Sequence, residues 1–318
     1  MGALGAFFHA VAVFFHHLAE VKWEFLGLAL ACHVVKLLFR AGAWKNIVDA
    51  AYPGNRLKFR SAFGAYVAGV GVNSITPARG GDLVKLYLVK HRCGSATYPT
   101  LGSTLVVETI FDCFVAGALM VWALAIGVLP THQVYSRIPT VDWKFFLRHE
   151  HETGIGLAAL AVLAVIGFFW ARRRVENFWS RVRLGFAILG DRRAFTVGVL
   201  LPQTISWGFR IASLFFFLKA FGVHATIHNA LLAQVVDSLA TLFPATPGGA
   251  GTKQGLIVFL FRGQAISRSL LLAFSVGMNI AITVANLVLG FIAIGLMAKT
   301  LSVRRLRAAS KTEQEQPA

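Results

Sequence analysis

Residues 269–298 form a run of 30 residues with no Lys, Arg, Asp or Glu. As a helix that run is about 45 Å long, which exceeds the ~30 Å hydrocarbon core of a bilayer. In water such a helix would expose apolar surface all round. In lipid it satisfies every backbone N–H and C=O within itself. Four other stretches follow the same pattern: 154–170 without a charge, 194–218 with only Arg210, 101–129 with Glu108 and Asp112, and 25–39, where Lys36 lies near the expected end and is placed to snorkel. Residues 1–21, which carry His9, His16 and His17, read as an interfacial helix, with spanning as the alternative. The expected fold is an all-α polytopic membrane protein with about five to seven spanning helices.

Composition agrees. Charged residues are 14% of the chain, hydrophobic residues 56%, and mean hydropathy is +0.65. Those values exclude a disordered chain, a coiled coil and a small disulfide scaffold. Lys and Arg number 31 against 14 Asp and Glu, a formal charge of +17. In a soluble domain that excess would suggest nucleic acid. Here it concentrates in 40–60, 171–193 and the tail 301–318, while 130–153 is balanced and 219–228 nearly uncharged. The positive-inside rule places the basic segments in the cytoplasm, with anionic lipid rather than nucleic acid as their partner. The C-terminus is expected to be cytoplasmic. Segment 171–193, with interspersed Phe178, Trp179, Leu184, Phe186 and Ile188, reads as an amphipathic helix on anionic head groups. Cys32, Cys93 and Cys113 lack metal-ligand spacing and read as structural. The N-terminus has neither the basic region of a signal peptide nor a myristoylation site.

The charge pattern sets a topological problem. Segments 40–60 and 90–92 fall on one side, yet the apolar stretch between them is interrupted by Thr76-Pro77-Ala78-Arg79-Gly80-Gly81-Asp82. On the other side, 229–265 is interrupted by Pro244-Ala245-Thr246-Pro247-Gly248-Gly249-Ala250-Gly251. Two broken re-entrant hairpins, over 61–92 and 229–265, resolve both. Each half would be about 16 residues, or ~24 Å, short for a span. The breaks also resemble each other, Thr76-Pro77 matching Thr246-Pro247 and Gly81 matching Gly251. A repeat in opposite orientations, with interrupted helices at its centre, is the architecture of secondary transporters.

The first break reads as a phosphate cradle. Asn73 opens it, Thr76 is placed to cap the next helix with Pro77 at its first position, and Gly80 and Gly81 allow close backbone approach. Arg79 and Lys85 supply charge that Asp82 can orient or neutralise. The alternative is that Arg79, Asp82 and Lys85 only solvate an interfacial helix. Glu108 and Asp112, four residues apart, share a helix face inside an apolar run, where carboxylates are costly and usually functional. They are candidates to pair with Arg79 or Lys85 or to take up protons; the alternative is that Glu108 sits at the interface and only Asp112 is deep. Lys253 and Gln254 follow the second break as Lys85 follows the first, and Lys85 and Lys253 would face one cavity from opposite sides. Arg210, with Gln203 and Trp207 on its face, needs a partner, for which Asp237 is the candidate, in a stripe with Gln234 and Thr241; a structural lock and a substrate contact are the two readings. Asn279, Thr283 and Asn286 form a polar stripe of the kind that joins helices.

Taken in order, N-x-x-T-P-A-R-G-G-D-x-x-K from Asn73, V-x-E-T-x-x-D through Glu108 and Asp112, and T-P-G-G-x-G over Thr246, Pro247, Gly248, Gly249 and Gly251 resemble one family. It is the membrane-protein family related to the flippase-like transmembrane domain of lysylphosphatidylglycerol synthases, and the resemblance spans about 22–300. It implies a polytopic helical fold in a bacterial cytoplasmic membrane and, by analogy, translocation of an anionic or amino-acylated lipid between leaflets. The synthases' aminoacyl-transferase domain has no counterpart in these residues, so lipid synthesis is not implied. The family often carries an acidic residue where this chain has Lys253-Gln254, which argues against carboxylate-based ion coupling there. The expected function is a translocator, not an enzyme, for a lipid or lipid-linked molecule whose head lies near Arg79, Lys85 and Lys253. A homo-oligomer or a lipid-synthesising enzyme would be its protein partner. The rival readings are a membrane enzyme or subunit acting on a polyprenyl-phosphate or glycolipid, and a non-catalytic scaffold. No metal or cofactor is expected: there is no Walker A loop, dinucleotide fingerprint or nucleophile elbow, and His149-Glu150-His151-Glu152 reads as solvated loop.

Overall fold

A computed structural model of the chain describes residues 20–76, 79–127, 178–242, 252–261, 264 and 266–314. Every regular element among them is helical: α1 (Trp23–Ala51), α2 (Phe59–Asn73), α3 (Gly81–Arg92), α4 (Tyr98–Ala125), α5 (Arg192–Ala220), α6 (Ile227–Leu242), α7 (Thr252–Leu260) and α8 (Arg268–Gln314), with a short helical segment over 178–185. Helices α1, α4, α5 and the part of α8 from Arg268 to Met297 are long and apolar enough to cross a membrane. The chain is an all-α, multi-pass membrane protein. The N-terminal helix, the span over 154–170, the loop over 130–153 and the second break lie outside the described residues.

One boundary differs from the sequence reading. The first span does not end near Phe39; α1 continues to Ala51. Lys36 is therefore in mid-helix and does not snorkel from an end, and Arg40 and Lys45 are helical rather than part of a basic loop. The apolar run ends at the first cations, but the helix does not, because these cations find partners inside the protein. Lys45 bonds Asp49 one turn on at 2.6 Å. The basic tail is likewise continuous with α8, which runs to Gln314.

Helices α1 and α5 lie antiparallel in contact along their length. Lys22 N–H donates to Ala220 O, Ser213 to Ala29 O, Ser206 to Lys36 O and Asn46 to Gly198 O, a ladder descending α5 as it climbs α1. Small residues let α2 cross α8: a Cβ on Gly71 would stand 2.9 Å from the Gly290 Cα. Arg92 donates to Met297 O, so the ends of α3 and the apolar part of α8 meet. The end of α1, the start of α5, the end of α3 and Met297 thus share one end of the bundle, where the basic segments collect.

The two interrupted stretches are helical hairpins. Helices α2 and α3 pack together, and α3 returns to the basic end. Its break meets the middle of α1 and α8, where Asn286 donates to Ser74 Oγ and accepts from His33. Helices α6 and α7 also pack together, and Gln264 beyond α7 bonds Asn229 at the start of α6, at the opposite end. The hairpins therefore enter from opposite ends.

Apolar packing falls into two main clusters. One joins Ala29 of α1 to Phe217, Leu232, Ile257 and Phe274. The other joins Leu37, Ala41 and Trp44 of α1 to Ala65, Leu86, Val89 and Leu101. Between Ala29 and Leu37, α1 carries His33 and Lys36, so polar groups occupy the seam between the cores. Segment 178–193 is not wholly a surface helix. Phe178 and Trp179 are exposed, but Ile188 and Phe186 pack with Ile47, Val107 and Val199.

Candidate functional site

Helix α1 carries His33, Lys36, Arg40 and Trp44 in steps of three and four, a single stripe facing the bundle. His33 and Lys36 bond toward Asn286, Arg40 and Trp44 toward the Glu108 side, and the sequence reading gave none of the four a role in the site. A continuing apolar pattern through Ile47 and Val48 was the available signal that α1 extends this far.

Arg40 is the hub of the first cluster. Its guanidinium donates to Tyr66 Oη at 2.7 Å, to Glu108 Oε1 at 3.1 Å, and to both Asp112 oxygens at 3.0 and 2.5 Å. This fork-to-carboxylate geometry suits arginine. Glu108 accepts from Tyr66 at 2.7 Å and from Lys85 at 2.8 Å. The Lys85 ammonium also stands 4.0 Å from the Trp44 ring centre and 4.1 Å from that of Tyr66. An ammonium between a carboxylate and two aromatic faces is fully caged. Trp207 of α5 donates to Asp112 at 2.9 Å and Gln203 to the Glu108 carbonyl at 3.4 Å.

The expected pairing was half right. Glu108 takes Lys85, but Asp112 takes Arg40, not Arg79 or Lys85. The Glu108 side chain is 7% exposed and that of Asp112 23%. Glu108 is on the α4 face toward α1 and α3, whereas Asp112, one turn on, borders the edge of the bundle.

The second cluster centres on Asp237 of α6. Arg210 donates to it at 2.6 Å and Lys253 of α7 at 2.6 Å. Arg210 also bonds Gln234 at 2.6 Å and lies 4.9 Å over the Trp207 ring. The expected Arg210–Asp237 lock is present, with Lys253 as a third member. Lys85 and Lys253 each bond a carboxylate, Glu108 and Asp237 respectively. Gln254 is half-buried on α7, as is Asn279 on α8.

Asn286 joins helices, as its stripe predicts. His33 Nε2 lies 2.8 Å from Asn286 Oδ1, and Lys36 Nζ 3.1 Å from His33 Nδ1. The tip of the first hairpin is thereby tied to the middle of α1.

A family model described as the lysylphosphatidylglycerol synthase transmembrane region matches residues 2–290. This chain belongs to that family. A "UPF0104 membrane protein" of Methanothermobacter thermautotrophicus is 24% identical over 315 residues, covering 85% of this chain and 82% of that protein. "Glycosyltransferase AglD" of Haloferax volcanii is 26% identical over 274 residues, covering 74% of this chain but only 42% of that protein. No solved structure matches the chain.

The first break of this lysylphosphatidylglycerol synthase transmembrane-region protein is built differently from the expected cradle. Thr76 does not cap α3: its hydroxyl donates back to Val72 O and closes α2. Helix α3 begins at Gly81, behind Gly80, and Asn73 Oδ1 accepts the Gly81 N–H at 2.7 Å. Asn73 Nδ2 holds Asp82 at 3.2 Å. The carboxamide reaches across the hairpin because no side chain separates its halves; a Cβ on Gly81 would overlap Gly69 O. Arg79 has φ of 60°, a left-handed conformation rare outside glycine. Its side chain is 66% exposed and pairs with Asp82 at 3.4 Å. Arg79 and Asp82 border a groove of about 380 Å³ whose other walls are Leu105, Val106, Thr109, Ile110 and Cys113 of α4. Thr246, Pro247, Gly248, Gly249 and Gly251 lie outside the described residues.

Proposed function

We propose that this protein moves a lipid with a charged head group between membrane leaflets. The observation that carries the reading is the groove beside α4. It places the exposed Arg79, paired with the half-buried Asp82, at the edge of a wall of Val106 and Ile110, which are exposed on a spanning helix and so face lipid. A charged mouth on a lipid-facing apolar wall suits an amphiphile, with the head at Arg79 and Asp82 and the chains along α4. Behind the wall, the Arg40, Lys85, Glu108 and Asp112 cluster supplies a polar interior that lowers the barrier a head group meets in hydrocarbon.

The hairpins, entering from opposite ends, act as the two halves of an inverted repeat that rocks around the α1 seam. Both are re-entrant from their own side of the membrane. The basic end faces the cytoplasm, by the positive-inside rule.

The test is leaflet-resolved lipid movement in proteoliposomes, with labelled anionic, zwitterionic and amino-acylated lipids. The native protein is expected to move at least one class, and Arg79→Ala and Asp112→Asn to slow it. Absence of movement by folded protein overturns the reading. It would favour a subunit acting on a lipid-linked sugar, the direction in which the glycosyltransferase-named relative points.

A further inference from the structure

Helix α3 carries Leu83, Tyr87 and Lys90 in steps of four and three, one stripe along the helix. The stripe is on the side turned away from the bundle: Leu83 is 71% exposed and Tyr87 50%, whereas Gly81, Lys85, Leu88 and Val89 are buried. Between it and Tyr98, the first residue of α4, is a recess of about 480 Å³ lined by Leu83, Val84, Tyr87 and Tyr98. Both aromatic walls are held. Thr97 N–H donates to Tyr52 Oη at 2.9 Å, which fixes the start of α4 on the end of α1. His91 Nδ1 donates to Tyr87 O, and its ring centre stands 4.1 Å from that of Tyr87.

The hairpin sets the depth of this recess. Its break meets the middle of α1 and α8, and α3 runs from there to the basic end. Lys90 is nine residues beyond Gly81, a rise of about 13 Å, close to half of a ~30 Å hydrocarbon core. In a re-entrant hairpin Leu83 is therefore at the depth of acyl chains and Lys90 at the level of head groups. The Lys90 ammonium closes that end of the recess, 4.1 Å from the Tyr98 ring centre, and no carboxylate pairs with it among the described residues. The helix dipole does not require it there, since His91 and Arg92 occupy the same last turn.

We propose that this recess binds a phospholipid of net negative charge from the leaflet at the basic end, with an acyl chain between Tyr87 and Tyr98 and the phosphate on Lys90. The surroundings select the occupant. An apolar wall at hydrocarbon depth meets chains, and a cation at head-group level favours an anionic head over a zwitterionic one. The site itself does not depend on translocation. Its use as the loading position does rest on the reading above: Asp82 borders the Arg79 groove and the adjoining Leu83 this recess, so the two lie in sequence along α3.

The test uses the full chain in proteoliposomes with phosphatidylglycerol or phosphatidylcholine carrying a photoreactive diazirine in the acyl chain, and maps the labelled peptides by mass spectrometry. Phosphatidylglycerol is expected to label segment 83–98 about fivefold more than phosphatidylcholine. The exposed face of α8 around Val284 and Val288 should label equally with both. Lys90→Gln is expected to remove the preference at 83–98 without lowering the Tm in detergent, and Lys90→Arg to keep it. Leu83→Trp, which fills the recess from an exposed position, should lower labelling there by either lipid. Equal labelling of 83–98 by the two lipids overturns the proposal, as does a preference that survives Lys90→Gln or is as strong on α8. Unfolding by Lys90→Gln would make Lys90 structural and overturn its head-group role. Selective labelling without lipid movement by the native protein upholds the site and overturns translocation; movement without selective labelling does the reverse. Leu83→Trp is also expected to slow lipid movement, and undiminished movement in that variant overturns the loading role.

Discussion

Lys85 on α3 and Glu108 on α4 meet at 2.8 Å, their side chains 5% and 7% exposed. The contact ties the first hairpin to a spanning helix. Its strength is conditional, because desolvating two charges offsets most of their attraction, whereas removing one partner strands the other.

Glu108→Gln is therefore expected to destabilise the protein by about 3–5 kcal/mol, since Lys85 loses the carboxylate it bonds and Arg40 one of its two. Lys85→Met/Glu108→Met keeps the Arg40–Asp112 pair and removes the stranded charge. It should unfold at a higher temperature than Glu108→Gln. Thermal unfolding in detergent measures both, and a double variant no better than the single one would show that the pair is not the source of the loss.

The second cluster predicts an asymmetry. Asp237→Asn strands both Arg210 and Lys253 and should cost about 3–5 kcal/mol. Arg210→Met leaves the Lys253–Asp237 pair at 2.6 Å intact and should cost clearly less. Equal losses in the two variants would contradict the shared-carboxylate geometry.

Glycines on two helices should respond in opposite senses. A Cβ on Gly71 would stand 2.8 Å from Asn286 O and 2.9 Å from the Gly290 Cα. Gly71→Ala should cost about 1–3 kcal/mol by forcing α2 off α8. Gly27 on α1 has nothing within 4 Å of its Cβ position, so Gly27→Ala should stabilise by roughly 0.5–1 kcal/mol through lower unfolded-state entropy. Unfolding temperatures of the two variants decide this directly.

Arg79 should separate stability from activity. At φ of 60° it is in a conformation that glycine adopts freely. Arg79→Gly is expected to raise stability by about 1 kcal/mol while reducing lipid movement in proteoliposomes. A loss of both would make Arg79 a structural residue, and a gain in stability with full movement would remove it from the lipid path.

The sequence by itself determined the solvent, the secondary structure and the punctuation. Uncharged runs of helix length admit only a bilayer, and the Thr-Pro and Gly-Gly breaks cannot continue a helix. The motifs around Arg79, Glu108 and Asp112 were enough to reach the family. Partners were another matter. Arg40 and Lys36 looked like the end of a span because hydropathy weighs each residue as if it faced lipid, and a cation facing a carboxylate on another helix obeys a different balance. That balance depends on which helices touch. The antiparallel contact of α1 with α5 sets Ser206 on the Lys36 carbonyl, and the packing of α4 on α1 gives Asp112 to Arg40 instead of Arg79. Local sequence sets which residues share a face of a helix. Only tertiary packing decides what that face meets, and in a low-dielectric interior that meeting decides whether a charge is neutralised.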